Sequence, residues 1–241
     1  MEWNCVEPPG LTTSFEELVL KIIRTHDSGP VYNDILAIRS QVYKIPLEDA
    51  RAKGDEYSHH YCAYLDTQPV IVIRATQAKM GELDCEAYLP APLITAFRNK
   101  IASTTRFCSI NRKAMMNLST IFLQTVTFDQ TNQGMRLDLI DVREDMVRYY
   151  QRLGYMPVSG SFFIHPHWKT RSIVMLFVAD LSLDSAFNPI RPTIKDPLTL
   201  QELAPYVRLC DYAQKILPKN QTCQCLTNTS EDTTCTLLEM S

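Results

Sequence analysis

From Val70 to Thr76 the chain reads Val-Ile-Val-Ile-Arg-Ala-Thr. The β-branched residues favour a strand, because they pack well on a pleated surface and lose rotamer freedom in a helix. The run also carries a charge. Arg74, near its end, would be partly buried there and so needs a carboxylate. Whatever fold this chain adopts must supply one. Just before it, Tyr61 to Leu65 reads as a partner strand and Asp66-Thr67-Gln68-Pro69 as the turn between them.

The period changes on either side. Ser14 is placed to cap a helix carrying Leu18, Leu20, Ile22 and Ile23, with Glu16 and Glu17 in its first turn. Asp27-Ser28-Gly29-Pro30 ends it. A second helix carries Ile35, Ile38 and Val42 at helical spacing, with Arg39 on it and Tyr43 one turn later. Residues 47–58 are polar. Leu83 to Tyr88 is predicted as a third strand, and Pro90 and Pro92 open a short helix through Phe97. Thr104 to Ile110 is a strand. A long helix from about Arg112 to Phe128 puts Met115, Leu118, Ile121, Phe122 and Val126 on one side. Met135 to Val142 is a strand, and Glu144 to Leu153 a short helix closed by Gly154. Val158 to Ile164 and Ser172 to Asp180 are the last strands. This order predicts an α/β fold: a mixed, mostly antiparallel sheet with a central parallel strand–helix–strand pair, flanked by helices. Residues 1–13 read as irregular, 1–181 as one domain, and 182–197 as a linker with Pro189, Pro192 and Pro197. An amphipathic helix is expected over 198–217 and a disordered tail over 218–241.

The 241 residues are 45% hydrophobic and 21% charged, enough for a sizeable core. A net charge of −3 gives no basic face for nucleic acid, though a local basic patch for an acidic carrier protein remains compatible with it. No apolar run reaches the length of a membrane span. The first residues lack a signal-peptide layout, so a cytoplasmic location is expected. The eight cysteines then read as thiols rather than a disulfide framework. The tail cysteines Cys223, Cys225 and Cys235 fit no common zinc spacing, and no metal is expected. The two glycosylation sequons, at Asn220 and Asn228, read as chance matches.

Five stretches occur in a set order: Arg39-x-x-x-Tyr43, Asp55-Glu56-Tyr57, the strand ending at Arg74, Thr104-Thr105-Arg106-Phe107, and Tyr149-Tyr150-Gln151-Arg152-Leu153-Gly154-Tyr155. Over roughly residues 30 to 180 the chain resembles the acyl-homoserine lactone synthase and long-chain N-acyl amino acid synthase branch of the GNAT acyltransferases. The resemblance implies the GNAT fold and an N-acyltransferase. Such an enzyme moves a medium- or long-chain acyl group from acyl-carrier protein or acyl-CoA to an amine of an amino acid or peptide side chain, in a natural-product pathway. It implies no permanently bound cofactor, only acyl-CoA or acyl-phosphopantetheine as co-substrate.

The resemblance also assigns roles. The strand Thr105 to Ile110 would splay from its neighbour, so that backbone N–H groups around Arg106, Phe107, Cys108 and Ile110 hold the pantetheine arm and the carbonyl oxygen. The family's glycine-rich loop is absent. Ser109-Ile110-Asn111-Arg112-Lys113 stands there instead, with Arg112 and Lys113 as candidates for a phosphate or an acidic carrier. Tyr150 would give a proton to the departing thiolate; as a bare residue it reads equally as a core tyrosine. Arg39, Asp55 and Arg74, with Tyr43, would form the network that orders the N-terminal helices over the acceptor. The family's next acid is Ser58 here, and its glutamate before the Thr-Arg pair is Ser103, which cannot deprotonate an ammonium. The candidate bases are Glu82 and His60, with Asp84, Glu86 and His59 as alternatives. His165-Pro166-His167 reads as a loop, placed by the family pattern at the acceptor mouth. Met115, Leu118 and Phe122 are candidate linings of an acyl groove and equally ordinary core residues. The rival readings are an acetyl-CoA-dependent GNAT enzyme and a catalytically inactive GNAT-like binding module. An acyl-homoserine lactone synthase proper is a weaker third, given the absent glutamate and Ser58.

Overall fold

A computed structural model describes residues 2–4, 20–166, 169–179 and 198–208. These fall into two compact units. One comprises Met1–Leu83 and Ser103–Gln130, the other Asp84–Ala102 and Thr131–Ser241. The predicted linker and tail lie outside the described residues, as does 209–217 of the predicted C-terminal helix; over 198–208 only Leu200–Leu203 is helical, shorter than expected.

In the first unit the strands are β1 (Glu2–Asn4), β2 (Leu20–Thr25), β3 (His59–Leu65), β4 (Gln68–Gln77) and β5 (Ile101–Ser109), hydrogen-bonded in that order. β1 to β4 run antiparallel, with Ile22 opposite Ala63 and His60 opposite Arg74. Two expectations are corrected here. β1 lies in the stretch read as irregular. The stretch read as a helix is β2: Leu20, Ile22 and Ile23 satisfy both periods, but only Ile22 is fully buried, as one face of an outer strand requires.

Strand alternation sends each strand into two cores. Tyr61, Ala63, Ile71, Ile73 and Ala75 meet Ala114, Phe122 and Val126 of α3 (Arg112–Asn132). Cys62 and Val72 meet Ile35 and Ile38 of α1 (Pro30–Tyr43). Each fully buried Ile or Phe side chain contributes roughly 1.5–3 kcal/mol of transfer free energy. α1 starts with Pro30 in its first turn and stops at Lys44, which is left-handed. α3 is capped by Asn111, whose Oδ1 accepts the Ala114 N–H at 3.0 Å.

The second unit contains α2 (Ala91–Phe97), β6 (Leu137–Arg143), α4 (Val147–Arg152), β7 (Met156–Ile164), β8 (Arg171–Val178) and α5 (Leu200–Leu203). β8 pairs antiparallel with both β6 and β7. The sheet is mixed, with one parallel pair. Within this unit the Lys100 carbonyl accepts the N–H of Arg136 at 2.8 Å. Tyr150 and Leu153 pack with Ile140, Val142, Ile173 and Met175. The predicted strand at 83–88 is absent. The chain there makes a loop and one 3-10 turn at Glu86–Tyr88. Among the described residues no helix is long and apolar enough to cross a membrane.

Candidate functional site

The carboxylate that Arg74 requires is Asp55, set in a 3-10 turn (Asp55–Tyr57) after Gly54. Arg74 Nη1 donates to Asp55 Oδ1 at 3.1 Å, and Arg39 Nη1 to Oδ2 at 2.7 Å. Tyr32 Oη and the Ala52 N–H also donate to Oδ2, at 2.7 and 3.0 Å. Arg39, Arg74, Asp55 and His60 are all fully enclosed. Burial works against the Asp55 charge. The Arg39 guanidinium, the Ala52 N–H and the Tyr32 hydroxyl outweigh it and hold the carboxyl down at about 2. Arg74 also donates to the Lys53 carbonyl at 2.9 Å and, through Nε, to Thr105 Oγ1 at 3.1 Å, joining the network to β5. Ser58, standing where the family has an acid, bonds neutrally to the Gly54 carbonyl and Thr76 Oγ1. Arg39 Nε has no hydrogen-bond partner among the described residues. A buried donor without a partner is costly.

His60 belongs to this network. Its Nδ1 lies 3.2 Å from Arg39 Nη2 and its Nε2 3.1 Å from the Asp55 carbonyl. A guanidinium only donates and a carbonyl only accepts, so the ring is neutral with its proton on Nε2. Burial pushes it down to about 4, with the charge of Arg39 adding. Both nitrogens are engaged inside the protein, an arrangement unlike that of an amine-facing base. His59 is likewise pushed down to about 4 by burial, with Arg24 and His26 adding. Glu82 is exposed on a loop and paired with Lys53 Nζ at 2.8 Å. Glu86 pairs with Arg98 at 3.4 Å, and Ser103 is fully buried.

β5 carries a local irregularity at Arg106, whose φ of 58° is left-handed. For a residue with a Cβ this costs about 1–2 kcal/mol. The consequence is visible in the side chains. Thr105 faces the Arg74 network on the α1 side. Phe107, two residues on, packs with the α3 core, and Cys108 with the α1 core. In a regular strand residues 105 and 107 share a face, so Arg106 acts as a one-residue bulge. Replacing Arg106 with glycine should raise the thermal midpoint, by up to about 1 kcal/mol of relieved strain. Replacing it with valine should lower it.

Tyr43 packs on the cluster that holds Cys108, and burial pushes the thiol up to about 11. Their side chains thus belong to the α1 core. Ser109 Oγ donates to the Val70 carbonyl and accepts the Asn111 N–H. Beside them a cleft of about 550 Å³ is lined by Gln68, Pro69, Val70, Ile110, Asn111, Arg112 and Lys113. Arg112 and Lys113 are exposed. Phe122 is fully buried and Leu118 packs on the same cluster, which is core behaviour.

In the second unit Tyr150 stands on α4. Its ring meets Tyr149 and Tyr155 edge-on at 5.2 and 5.7 Å. Burial raises its pKa above the usual phenol range, and the charges of Asp141 and Asp138 add to this. A phenol so disposed is protonated at neutral pH. Two features were invisible in the sequence pattern. Tyr155 Oη donates to Asp138 Oδ2 at 2.5 Å, and His165 pairs with Asp141. Tyr32 and Thr105 were missed likewise. A helical tyrosine and a strand threonine carry no pattern that marks a polar partner across the fold. Among the described residues no three His, Cys, Asp or Glu side chains are grouped to hold a metal ion.

No family model and no curated protein matches the chain. Solved structures do. An acyl-CoA N-acyltransferase from Pseudomonas aeruginosa is 14% identical, with a TM-score of 0.50 over 66% of this chain and 99% of that one. FeeM, an N-acyl amino acid synthase from uncultured soil microbes, is 12% identical, with a TM-score of 0.50 over 65% and 91%. The AHL synthase LasI is 11% identical, with a TM-score of 0.51 over 67% and 90%. At such identities the likeness speaks for the fold, and it agrees with the element order found here: the chain has the GNAT acyltransferase fold.

Proposed function

We propose that the chain is an N-acyltransferase. It moves a medium- or long-chain acyl group from acyl-carrier protein or acyl-CoA to an amine of an amino acid or peptide side chain, in the cytoplasm. The observation that carries this reading is the end of β5. There a bulged strand runs into a cleft with two exposed cations at the start of a long helix. That combination suits a donor that is extended at one end and anionic at the other. The absence of glycine from this turn favours a phosphopantetheine or carrier-borne donor over the acetyl-CoA pattern. The buried Arg39–Asp55–Arg74 network, at positions shared with the synthase branch, supports the same reading.

The roles follow from the chemistry. Backbone N–H groups next to Arg106 polarise the thioester carbonyl and hold the developing oxyanion. The amine nitrogen, once it has lost a proton, attacks the carbonyl carbon. The C–N bond forms, the C–S bond breaks, and Tyr150 gives its proton to the sulfur. The second proton lost from nitrogen returns to the tyrosinate. The net products are an amide, a thiol and one proton released. Arg39, Asp55 and Arg74 position the loop and α1 and touch no reacting atom. In this reading His60 is part of that positioning network.

Thermal unfolding with acetyl-, decanoyl- and palmitoyl-CoA and with acyl-carrier protein tests the reading. A donor at a hundredfold excess over its Kd should stabilise the fold by about 2.7 kcal/mol. Stabilisation by the long-chain donors and not by acetyl-CoA is the expected result. A response to acetyl-CoA alone would replace it with the acetyltransferase reading, and no response to any donor would remove it. Changing Arg112 and Lys113 together to alanine should weaken donor binding roughly thirtyfold, most at low salt, because each charge-assisted contact contributes about 1 kcal/mol or more. The melting point without ligand should not move, since both side chains are exposed.

A further inference from the structure

Residues 51–58 cross the Arg39–Asp55–Arg74 network as a strap. Gly54, Asp55 and Ser58 are buried on its inner side, while Arg51, Lys53 and Glu56 are exposed. The inner side is tied by the bonds to Asp55 and by the hydrogen bond that Ser58 shares with Thr76 Oγ1 at 2.7 Å. One end is tied by Arg51, which pairs with Asp27 and stands 5.9 Å from the centre of the Tyr32 ring. The other end is tied differently. Tyr57 lays its ring across the turn that follows β4.

Two bonds shape that turn. The Met80 and Gly81 N–H groups both donate to the Gln77 carbonyl, at 2.8 and 3.3 Å. The Tyr57 ring lies directly on Gly81. A Cβ at position 81 would stand 2.2 Å from Cε2 and 2.3 Å from Cδ2, far inside contact distance. At the tip of the ring, a Cβ on Gly54 would stand 3.0 Å from the hydroxyl oxygen. The two glycines differ in what they require. Gly54 has a φ of 92°, which favours glycine by itself. Gly81 has no positive φ, so what excludes a side chain there is the ring. Tyr57 Oη also donates to the Glu82 carbonyl at 3.2 Å, and Lys53 Nζ pairs with the Glu82 carboxylate. That pair is exposed on both sides and contributes little. The ring contact is the stronger tie.

We propose that Tyr57 is a steric key that locks the 77–82 turn to the Asp55 strap, so that the two loops open and close as one body and the turn responds to the state of the buried network. The response follows from the connectivity. Asp55 begins the 3-10 turn that Tyr57 ends. A strap loosened at Asp55 shifts the ring, and the ring releases the turn. Without the key, the strap keeps its inner bonds and the turn loses its cover. The inference involves no donor or acceptor, so it stands or falls separately from the acyltransferase reading.

The test is native-state amide exchange on the full chain, read residue by residue against the amides of β4. In the wild type the amides of Asp55, Ser58, Met80 and Gly81, all hydrogen-bonded within their own turns, should share one opening free energy. Tyr57→Ala should speed exchange at Met80 and Gly81 roughly tenfold relative to β4, as the loss of a half-buried ring's contact implies. Gly81→Ala should do the same by expelling the ring, and should add nothing once Tyr57 is alanine. Tyr57→Phe keeps the ring and should stay within about twofold of wild type. Asp55→Asn should speed exchange in the turn when Tyr57 is present and not when it is alanine. Unrelated exchange of the two loops in the wild type would overturn the proposal. So would a further loss from Gly81→Ala in the Tyr57→Ala chain, because the added Cβ would then be meeting something other than the ring.

Discussion

Replacing Asp55 with alanine should destabilise the chain by roughly 3–5 kcal/mol, the usual cost of leaving a buried cation without its partner. Here two guanidinium groups lose their shared carboxylate at once, and Tyr32 and the Ala52 N–H lose an acceptor. The urea midpoint should drop accordingly. Asp55→Asn keeps the shape and removes the charge, and should fall between alanine and wild type. A loss below about 1 kcal/mol for alanine would mean that water reaches the network in solution. The same cluster sets the acid limit. The carboxyl is held at about 2 in the fold against 3.8 as a model acid, so its contribution is present above about pH 4 and is lost as the pH falls toward 2. His60 acts in the same direction. Its folded pKa of about 4 lies below the model value of 6.5. The fold therefore prefers the neutral ring, and that preference is fully present above about 6.5 and lost on the way down to 4. Equilibrium unfolding followed from pH 7 downward should show stability falling in two stages, the first of them reduced in His60→Gln and not abolished, because His59, also held down to about 4, titrates in the same window.

Tyr150→Phe should give the second large effect, this time on rate. If the phenol supplies the thiolate's proton, kcat should fall about 10²-fold or more. KM for the donor and the melting temperature should change little. The phenylalanine ring can keep the edge contacts with Tyr149 and Tyr155 and the packing on Ile140 and Met175. Single-turnover kinetics with a thiol-detecting reagent would separate this from slow product release. A leaving group of lower pKa, such as a thiophenol ester, should restore much of the rate, since it needs no proton. Full activity in the phenylalanine variant would return Tyr150 to the ordinary role of a core aromatic.

Much of the framework was legible because it rests on local pattern. Val70 to Thr76 was read as a strand and lies within β4. Arg112 to Phe128 was read as a helix and lies within α3. β2 was misread because Leu20, Ile22 and Ile23 fit a helical stripe as well as a strand. What decides is the ladder with β3, which lies forty residues away. The site divides in the same way. The need of Arg74 for a carboxylate follows from one buried charge in an apolar strand, and resemblance to the synthases supplied Asp55. That His60 is neutral and saturated depends on which groups surround it, and no spacing encodes that. The Asp141–His165 pair joins β6 to the far end of the next hairpin, so neither residue's local sequence announces the other.

Consider again the left-handed residue in β5. Everything before it in the strand keeps one assignment of inside and outside, and everything after it keeps the reverse. Removing Arg106 altogether would restore an even pleat and leave Phe107 toward α3 and Cys108 toward α1, whereas drawing Arg106 into a regular pleat would reverse both and exchange a large ring for a thiol in both cores. Deleting this one residue should therefore leave both cores filled, whereas deleting Phe107 instead should leave the α3 core without its ring.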